Sequence, residues 1–555
     1  MTAPRNASLS VPSRQEGGRW ENLLRRWRWL LLPLSGFLFA LTVIFPQIGA
    51  LEWILLIPAL LCLFPLCADQ SIRLRTLYGM GLVFFLAFYA VNFHWFFYMY
   101  PLDFAGMTLA SSAVVVTAAC LGLSLFQAAG AALLFPLMGI AVRGKWLSRH
   151  AVLHPLLFAC LWTALEWWQA HSGWSGVPWA RLPLGQAETV ALLQSSALFG
   201  SYVVTFLLVA VNGLLAYLLL HPTKRILCAA LALGLFVGNM GFGILRMATV
   251  KETGTPLRVA AIQGNKGSLE NWNSGTLDRV LNVYGDLSRE AAAQGAQLIV
   301  WPETCIPANI DRQPWVYDYV TNLAMECGVP ILCGLFTQVE DSIADYNSTM
   351  VALPDGTMHD TIYNKRNPVP FGEFVPFRKL IMTVIPPLAN INTLAADIPA
   401  GEDSVVFDLS LGNVGSLICF DSIYERNAFD SLDNGAQLLA VSTNDSWFTD
   451  SRGVWMHHAQ SQLRAIEMGR YVVRAANTGV SSLINDRGEV LMSLAPMKTG
   501  YVMETVYLSD RVTVYSTIGN VFAYVCLTLC AAAILPPLGG LALTRAANHR
   551  GKGKT

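Results

Sequence analysis

Long, almost uncharged apolar runs occupy both ends of this 555-residue chain. A backbone carrying such runs satisfies its own polar groups as helices when it lies in a bilayer. A hydrocarbon core of about 30 Å takes about 20 helical residues to cross. By that measure the sequence predicts spans near 28–45, 50–67, 76–98, 107–138, 152–170, 196–220, 225–246 and 516–543. Charged residues make up 13% of the chain, about half the usual share of a soluble domain. The shortfall lies before residue 247 and after residue 514. The expected architecture is therefore an eight-helix transmembrane bundle carrying one sizeable water-soluble domain.

Basic residues orient the bundle. The N-terminal tail, residues 1–27, carries Arg14, Arg19, Arg25 and Arg26. Further apolar segments follow it directly, so it reads as a retained tail and not as a cleaved signal. Arg73 and Arg75, then Arg143, Lys145 and Arg149, then Lys224 and Arg225, fall in alternate loops on the same side. The loops around Gln47, Pro101 and Gly173 hold almost no base beyond Arg181. Helices one to seven are placed in residues 28–246 and the eighth in 515–545, with 546–555 a second cytoplasmic tail. Residues 247–514 then lie outside the cytoplasm, which in a bacterium is the periplasm. Phe45 to Gly49 reads as a tight hairpin, and the long fourth run as tilted or bent.

Thirty-seven basic and 37 acidic residues cancel, and no basic stripe is interleaved with aromatics, which excludes nucleic acid as a partner. Eleven cysteines include no CxxC pair and no histidine at zinc-ligand spacing, so no metal site is expected. Asn92, His94, Glu166 and His171 sit at or near membrane depth and read as interhelical hydrogen-bonding groups. Trp95, Tyr98, Tyr100, Trp167, Trp168, Trp174 and Trp179 read as an outer-interface belt or as the wall of a lipid entry site.

The soluble domain alternates strand and helix: a strand at 257–263, a helix near 275–294, a strand at 296–301, a helix near 313–327 and a strand at 330–334. A second series runs from Arg452 to the hairpin 482–490. This is the pattern of a layered α/β domain. Three reactive groups fall at element ends, where open α/β sheets build their sites. Glu303 follows the strand ending at Trp301. Lys365 lies in a Pro-rich loop, and Cys419 stands where Val414–Ile418 gives way to Asp421-Ser422. A carboxylate can take the thiol proton as general base. A fixed ammonium can lower the thiol pKa and stabilise an oxyanion, and the thiolate can hold an acyl group as a thioester. Cys305 is the rival thiol and reads as structural; His457 and His458 read as capping or packing residues.

Glu, Lys and Cys in this order and context resemble the nitrilase superfamily of carbon–nitrogen hydrolases, which implies an α-β-β-α sandwich. Eight spans around such a domain, with Pro370-Phe-Gly-Glu-Phe-Val-Pro376 and Asn444-Asp-Ser-Trp-Phe448, resemble the bacterial apolipoprotein N-acyltransferases over nearly the whole chain. The resemblance implies a two-step reaction in the inner membrane. An acyl chain passes from the sn-1 position of a phospholipid, typically phosphatidylethanolamine, to Cys419. It then passes to the α-amine of the S-diacylglyceryl cysteine that begins an apolipoprotein. It implies a triad of Glu303, Lys365 and Cys419, no cofactor, and a monomer as the working unit. The family's second glutamate falls on Glu373 and its gating aromatics on Trp272, Trp447 and Phe448. After the nucleophile the family often reads Cys-Tyr-Glu; here Phe420 and Asp421 follow, and the carboxylate is one methylene shorter. The apolar loop 380–394 suits a lid or acyl groove at the bilayer surface.

Two other functions fit parts of the pattern. A membrane-anchored amidase would pass the acyl group to water, but eight spans exceed what an anchor needs. A transporter with a binding module would show paired repeats, and seven spans before the domain with one after it do not divide that way.

Overall fold

The computed structural model describes residues 19–102, 107–267, 274–384 and 396–552. Among them, eight helical stretches are long and apolar enough to cross a bilayer: Arg26–Ile44, Pro46–Ala68, Leu74–Asn92, Leu109–Val142, Ala151–His171, Ser201–Leu220, Pro222–Thr249 and Val521–Gly540. Their detail departs from the sequence reading in two places. The first helix already begins at Arg19, inside the segment assigned to a tail. The second span opens not with a tight hairpin but with a 3-10 stretch, Pro46–Trp53, that leads into the helix Ile57–Ala68. Pro46 has no N–H with which to continue the preceding helix. Gly49 lets the new segment touch its neighbour, since a Cβ there would stand 1.9 Å from the Gly185 carbonyl oxygen. The fourth run is bent, as its length suggests, dividing into Leu109–Ala131 and Leu134–Val142.

Between the seventh and eighth spans, the described residues hold twelve strands: β1 (Thr255–Gln263), β2 (Leu298–Val300), β3 (Ile331–Gln338), β4 (Asp345–Ala352), β5 (Tyr363–Asn364), β6 (Val406–Leu409), β7 (Gly412–Ile418), β8 (Leu438–Thr443), β9 (Tyr471–Ala476), β10 (Ser481–Ile484), β11 (Val490–Leu494) and β12 (Gly500–Leu508). They form two six-stranded sheets, ordered β12-β1-β2-β3-β4-β5 and β11-β10-β9-β8-β7-β6. Each sheet has three parallel strands at its centre, β1-β2-β3 in one and β7-β8-β9 in the other, flanked by antiparallel pairs. The parallel strands are apolar on both faces because both faces are covered.

One face of each sheet meets the other. Val259, Leu298, Val300 and Leu332 from the first pack on Val414, Ile418, Leu438, Ala440 and Val473 from the second. The outer face of the first sheet lies under the helices Ser274–Ala293 and Pro314–Cys327. That of the second lies under Glu425–Asp433 and Arg452–Met468. The layers are thus helix, sheet, sheet, helix. The helix Arg452–Met468 is buried on both sides. Ala465 and Met468 face the sheet, whereas Met456, Ala459, Leu463 and Ile466 join the core of the membrane bundle. The bundle and the sandwich share that helix as a common wall.

Candidate active site

Glu303, Lys365 and Cys419 converge at the ends of β2, β5 and β7. The chain leaves β2 at Val300, and the Trp301 N–H still donates to the Leu332 carbonyl at 2.8 Å. Glu303 is thereby held against β3, where Gly334 makes room: a Cβ at 334 would stand 2.3 Å from the Pro302 oxygen and 2.8 Å from the Glu303 Cα. Lys365 follows β5, its N–H donating to Asn347 O at 2.8 Å and its carbonyl accepting from Gly401 N at 2.7 Å. Cys419 ends β7 and opens a 3-10 turn, Cys419–Ile423, with φ +50°. A positive φ is uncommon for a residue with a Cβ and marks strain held by its surroundings.

The lysine ammonium lies 2.7 Å from Glu303 Oε1 and 2.8 Å from Glu373 Oε2, and Lys365 is only 1% exposed. Asn347 Nδ2 donates to both carboxylates, at 2.7 Å to Glu303 Oε1 and 2.9 Å to Glu373 Oε1. The Asn444 N–H reaches Glu303 Oε2 at 2.8 Å, and the Val369 N–H reaches Glu373 Oε2 at 2.7 Å. Burial alone would drive the proton off Lys365, but the charges of Glu303 and Glu373 outweigh it and hold its pKa well above the ordinary value. The Cys419 thiol is pushed up by burial first and by the Glu303 charge second, with Lys365 acting in the opposite sense. At rest the sulfur keeps its proton, beside a carboxylate that can accept it and an ammonium that can balance the charge left behind.

Asp421 belongs to the scaffold of this site. Its carboxylate accepts from Tyr363 Oη at 2.8 Å, Asn367 N at 2.7 Å, Ile418 N at 3.2 Å and Arg366 N at 3.4 Å. It therefore ties the thiol turn to the loop carrying Lys365. The short side chain reaches because that loop comes to it. Burial raises its pKa to about 6, against the opposing pull of Lys365 and its hydrogen bonds. Phe420 turns the other way, half-buried on the membrane bundle, with its ring 5.7 Å from that of Tyr424.

Trp447 and Phe448 stand in a 3-10 turn, Ser446–Phe448, and both are half-buried. Phe448 packs edge-on to Trp95 (4.7 Å between rings) and tilted on Trp179 (5.2 Å). Trp179 is only 2% exposed, so it is no belt residue: it forms the floor between bundle and domain. Trp168, Tyr98 and Tyr100 do face outward. Trp272 lies outside the described residues, as does most of the apolar loop 380–394, which begins within the helix Arg378–Val384. Cys305 is sealed in the core of the first sheet, where burial raises its thiol to about 12.

Several residues at the site were not singled out from the sequence. Asn347 is one, a buried amide in β4. Another is a network behind the thiol, where His457 Nδ1 lies 2.7 Å from Asp445 Oδ1 and Arg474 Nη2 donates to Asp445 Oδ2 at 2.9 Å. His457 Nε2 faces the Cys419 carbonyl at 3.2 Å and the Ser422 hydroxyl at 3.3 Å. His457 thus packs, as its helix suggests, but it packs on the Cys419 turn. Burial would raise Asp445, yet Arg474 and His457 hold its carboxyl well below the ordinary range. Donor atoms of Cys419, Asp445 and His457 lie within 4.8 Å of one another. The Arg474 guanidinium already fills the anionic side of that cluster and opposes a metal cation there. The available signal was Arg474 itself: an arginine in the wholly buried strand Tyr471–Ala476 must have an acidic partner.

Two family models match the chain: carbon-nitrogen hydrolase over residues 258–514, and the apolipoprotein N-acyltransferase N-terminal domain over residues 35–214. The apolipoprotein N-acyltransferase of Gloeobacter violaceus is 30% identical over 510 residues, covering 91% of this chain and 92% of its own. That of Geobacter metallireducens is 29% identical over 510 residues, covering 90% and 93%. Among solved structures, an amidase of the nitrilase superfamily from Nesterenkonia AN1 aligns over 49% of this chain and 97% of its own, at 18% identity and a TM-score of 0.37.

Proposed function

The chain belongs to the apolipoprotein N-acyltransferase family, and on that footing we propose that it transfers a fatty acyl group to the N-terminus of lipoproteins at a bacterial membrane. In this reading Cys419 is the nucleophile, Glu303 the general base and Lys365 the oxyanion partner. The donor is a phospholipid such as phosphatidylethanolamine, entered at its sn-1 ester. Residues 28–246 and 515–545 lie in the inner membrane, with 247–514 on the periplasmic side and both termini in the cytoplasm.

The proton of the Cys419 thiol passes to Glu303 as the sulfur attacks the ester carbonyl. Negative charge gathers on the carbonyl oxygen and is met by the Lys365 ammonium. The C–O bond then breaks, the lysophospholipid oxygen takes the proton back from Glu303, and a thioester remains on Cys419. In the second half the α-amine of the diacylglyceryl cysteine attacks that thioester. Glu303 takes the amine proton and returns it to the departing sulfur, leaving an amide. Glu373 and Asn347 keep the ammonium and the base in place, and Asp421 keeps their loop against the thiol turn.

One observation carries the reading: a fully buried ammonium clamped between two carboxylates at 2.7 and 2.8 Å, beside a buried thiol whose pKa responds to both ends of that pair. The packing of Phe448 on the bundle's Trp95 and Trp179 suits a transferase, because a thioester must be kept from water until the amine arrives. In this reading Trp447 and Phe448 gate the entry of substrate.

The test is the intact mass of the full-length protein purified from membranes. One acyl increment, labile to hydroxylamine, is expected; it vanishes in Cys419→Ala and persists in Cys305→Ala. An increment that survives the first substitution and disappears in the second refutes the assignment, as does release of free fatty acid at the same rate with and without a diacylglyceryl peptide.

A further inference from the structure

A cluster of charged side chains lies on the seam between bundle and sandwich, buried and remote from solvent. Its centre is Arg181, the single base noted on the outer loops, which is 1% exposed. On the bundle side its guanidinium donates to Ser201 Oγ at 2.7 Å, lies 3.8 Å from Glu166 Oε2, and covers the ring of Tyr202 at 4.6 Å. On the sandwich side it stands 3.9 Å from Glu425 Oε2. Glu425 takes a 2.5 Å hydrogen bond from the Tyr202 hydroxyl and lies 3.8 Å from His171 Nε2. Arg464, on the wall helix, lies 3.7 Å from Glu425 and 2.7 Å from Glu467. Glu467 in turn accepts from the Ser201 N–H at 2.8 Å. Three carboxylates and two guanidiniums thus meet across the two halves of the molecule.

Glu425 opens the helix that follows the Cys419 turn directly, six positions after the sulfur. Whatever fixes Glu425 also fixes the base of that turn. Anchoring alone does not call for charge: apolar contacts of the same volume often hold two surfaces together as well as a buried ion pair or better. Buried charges differ from apolar contacts in tolerating little slippage, because a small displacement leaves them unpaired in a low dielectric. Glu425 is held ionised here, since Arg181, Arg464 and His171 together overcome the upward push of burial on its pKa.

We propose that Arg181 is a positioning residue for acyl transfer: by bridging Glu166 of the bundle to Glu425 behind the nucleophile turn, it sets the register of the Cys419 thiol against the membrane helices that present the lipid. The role of the thiol rests on the reading given above; the geometric coupling does not.

The experiment uses the full-length protein with three variants, Arg181→Gln, Arg181→Lys and Tyr202→Phe, alkylated after hydroxylamine treatment in phospholipid-free detergent and assayed for transfer in phospholipid nanodiscs. Alkylation of Cys419 by iodoacetamide in the hydroxylamine-treated, phospholipid-free sample, read by peptide mass, reports thiol placement without any assumption about activity. Acyl transfer per alkylatable thiol reports function. Arg181→Gln is expected to change the alkylation rate at least about threefold and to lower kcat about tenfold, with KM for phospholipid within about twofold. Arg181→Lys, which keeps the charge, recovers part of both. Tyr202→Phe, which loses one hydroxyl from the same cluster, moves both readouts the same way by less, and it decides the matter should Arg181→Gln not fold. Unchanged alkylation and unchanged kcat per folded molecule, alongside a lowered melting temperature, overturn the proposal and leave a simple anchor. Altered alkylation in the variants, together with no transfer even by the parent protein, upholds the coupling and refutes the acyltransferase reading instead.

Discussion

Replacing Lys365 with methionine tests the electrostatics of the site most directly, because an unbranched side chain one atom shorter remains while the charge and its N–H donors are lost. Lys365 is 1% exposed and holds carboxylates at 2.7 and 2.8 Å. Removing one partner of a buried ion pair costs about 3–5 kcal/mol, since the charge left behind is uncompensated. Here two carboxylates would remain, joined only through the Asn347 amide that donates to both. Two like charges so close cannot both persist, and one takes up a proton. The sign of the pH dependence follows. In the native protein the pKa of Lys365 is raised, so its stabilisation is fully present below the unfolded lysine value and flat between pH 5 and 8. In the variant the freed carboxylates favour the protonated form in the fold, so stability is greatest at low pH and is lost as pH rises. The deficit should therefore be largest at pH 8 and shrink toward pH 5, by up to about 1.4 kcal/mol per pH unit within the titration range. Thermal unfolding of both proteins in detergent at pH 5, 6.5 and 8 measures it. Loss of an oxyanion partner should also slow thioester formation about 10²–10³-fold. An equal deficit at pH 5 and pH 8, or none at either, would refute the paired-carboxylate account.

Three further outcomes are expected. Asp421→Asn should flatten part of the stability profile: with a folded pKa of about 6, raised by burial, Asp421 favours the fold below its unfolded value and loses that advantage as pH rises through 6. The effect is up to about 3 kcal/mol, read as the difference between native and variant melting curves from pH 4 to 7.5. Gly334→Ala should cost about 1–3 kcal/mol through overpacking, and should lower acyl transfer further than that loss explains, because the added Cβ strikes the backbone that carries Glu303; equal kcat per folded molecule would contradict it. Glu303→Gln should leave Lys365 paired with Glu373 and the fold intact while reducing the acyl-enzyme rate at least about 10²-fold, measured by intact mass against time.

The parts of this molecule that sequence made legible are those whose chemistry is local. Bilayer-length apolar runs and alternating strands depend only on neighbours along the chain, and so does a glutamate or a cysteine at a strand end. What stayed hidden depends on residues far apart in sequence. Asn347 is an ordinary amide in β4 until Glu303 and Glu373 approach it from 44 and 26 residues away. Asp421 reads as a shortened copy of a longer acid, yet the loop at Arg366 and Asn367 closes up to it. The second span reads as a simple hairpin and helix because what shapes its first turns is distant in sequence: Gln186 Nε2, 137 residues on, bonds to the Gly49 oxygen, and Asn212 Nδ2 bonds to the Glu52 oxygen. Histidines at 457 and 458 on one helix look alike, but Asp445 and Arg474 make only the first a neighbour of the thiol turn, whereas His458 bonds to Ser482.

A soluble amidase and an acyltransferase can share the same three reactive groups, so the difference in outcome must come from what surrounds the sulfur. The wall helix Arg452–Met468 supplies much of it. One face completes the outer layer of the second sheet, and the opposite face is part of the bundle core. A water path along that side of the sandwich is closed by protein rather than by a movable loop. Its N-terminal end brings Gly453 against Trp95, where a Cβ would lie 3.0 Å from the indole, so the aromatic floor meets the helix without a gap. Its middle carries His457 to the carbonyl of Cys419, and its C-terminal end carries Arg464 and Glu467 to the seam with Glu425 and Ser201. One element thus closes this side with protein, braces the Cys419 turn from behind and locks the sandwich to the helices beneath it. If the proposed transfer depends on dryness at the thiol, polar substitutions on the bundle-facing positions of this helix, such as Leu463→Gln, should raise hydrolysis of the acyl-enzyme relative to transfer; an unchanged ratio would place the barrier to water elsewhere.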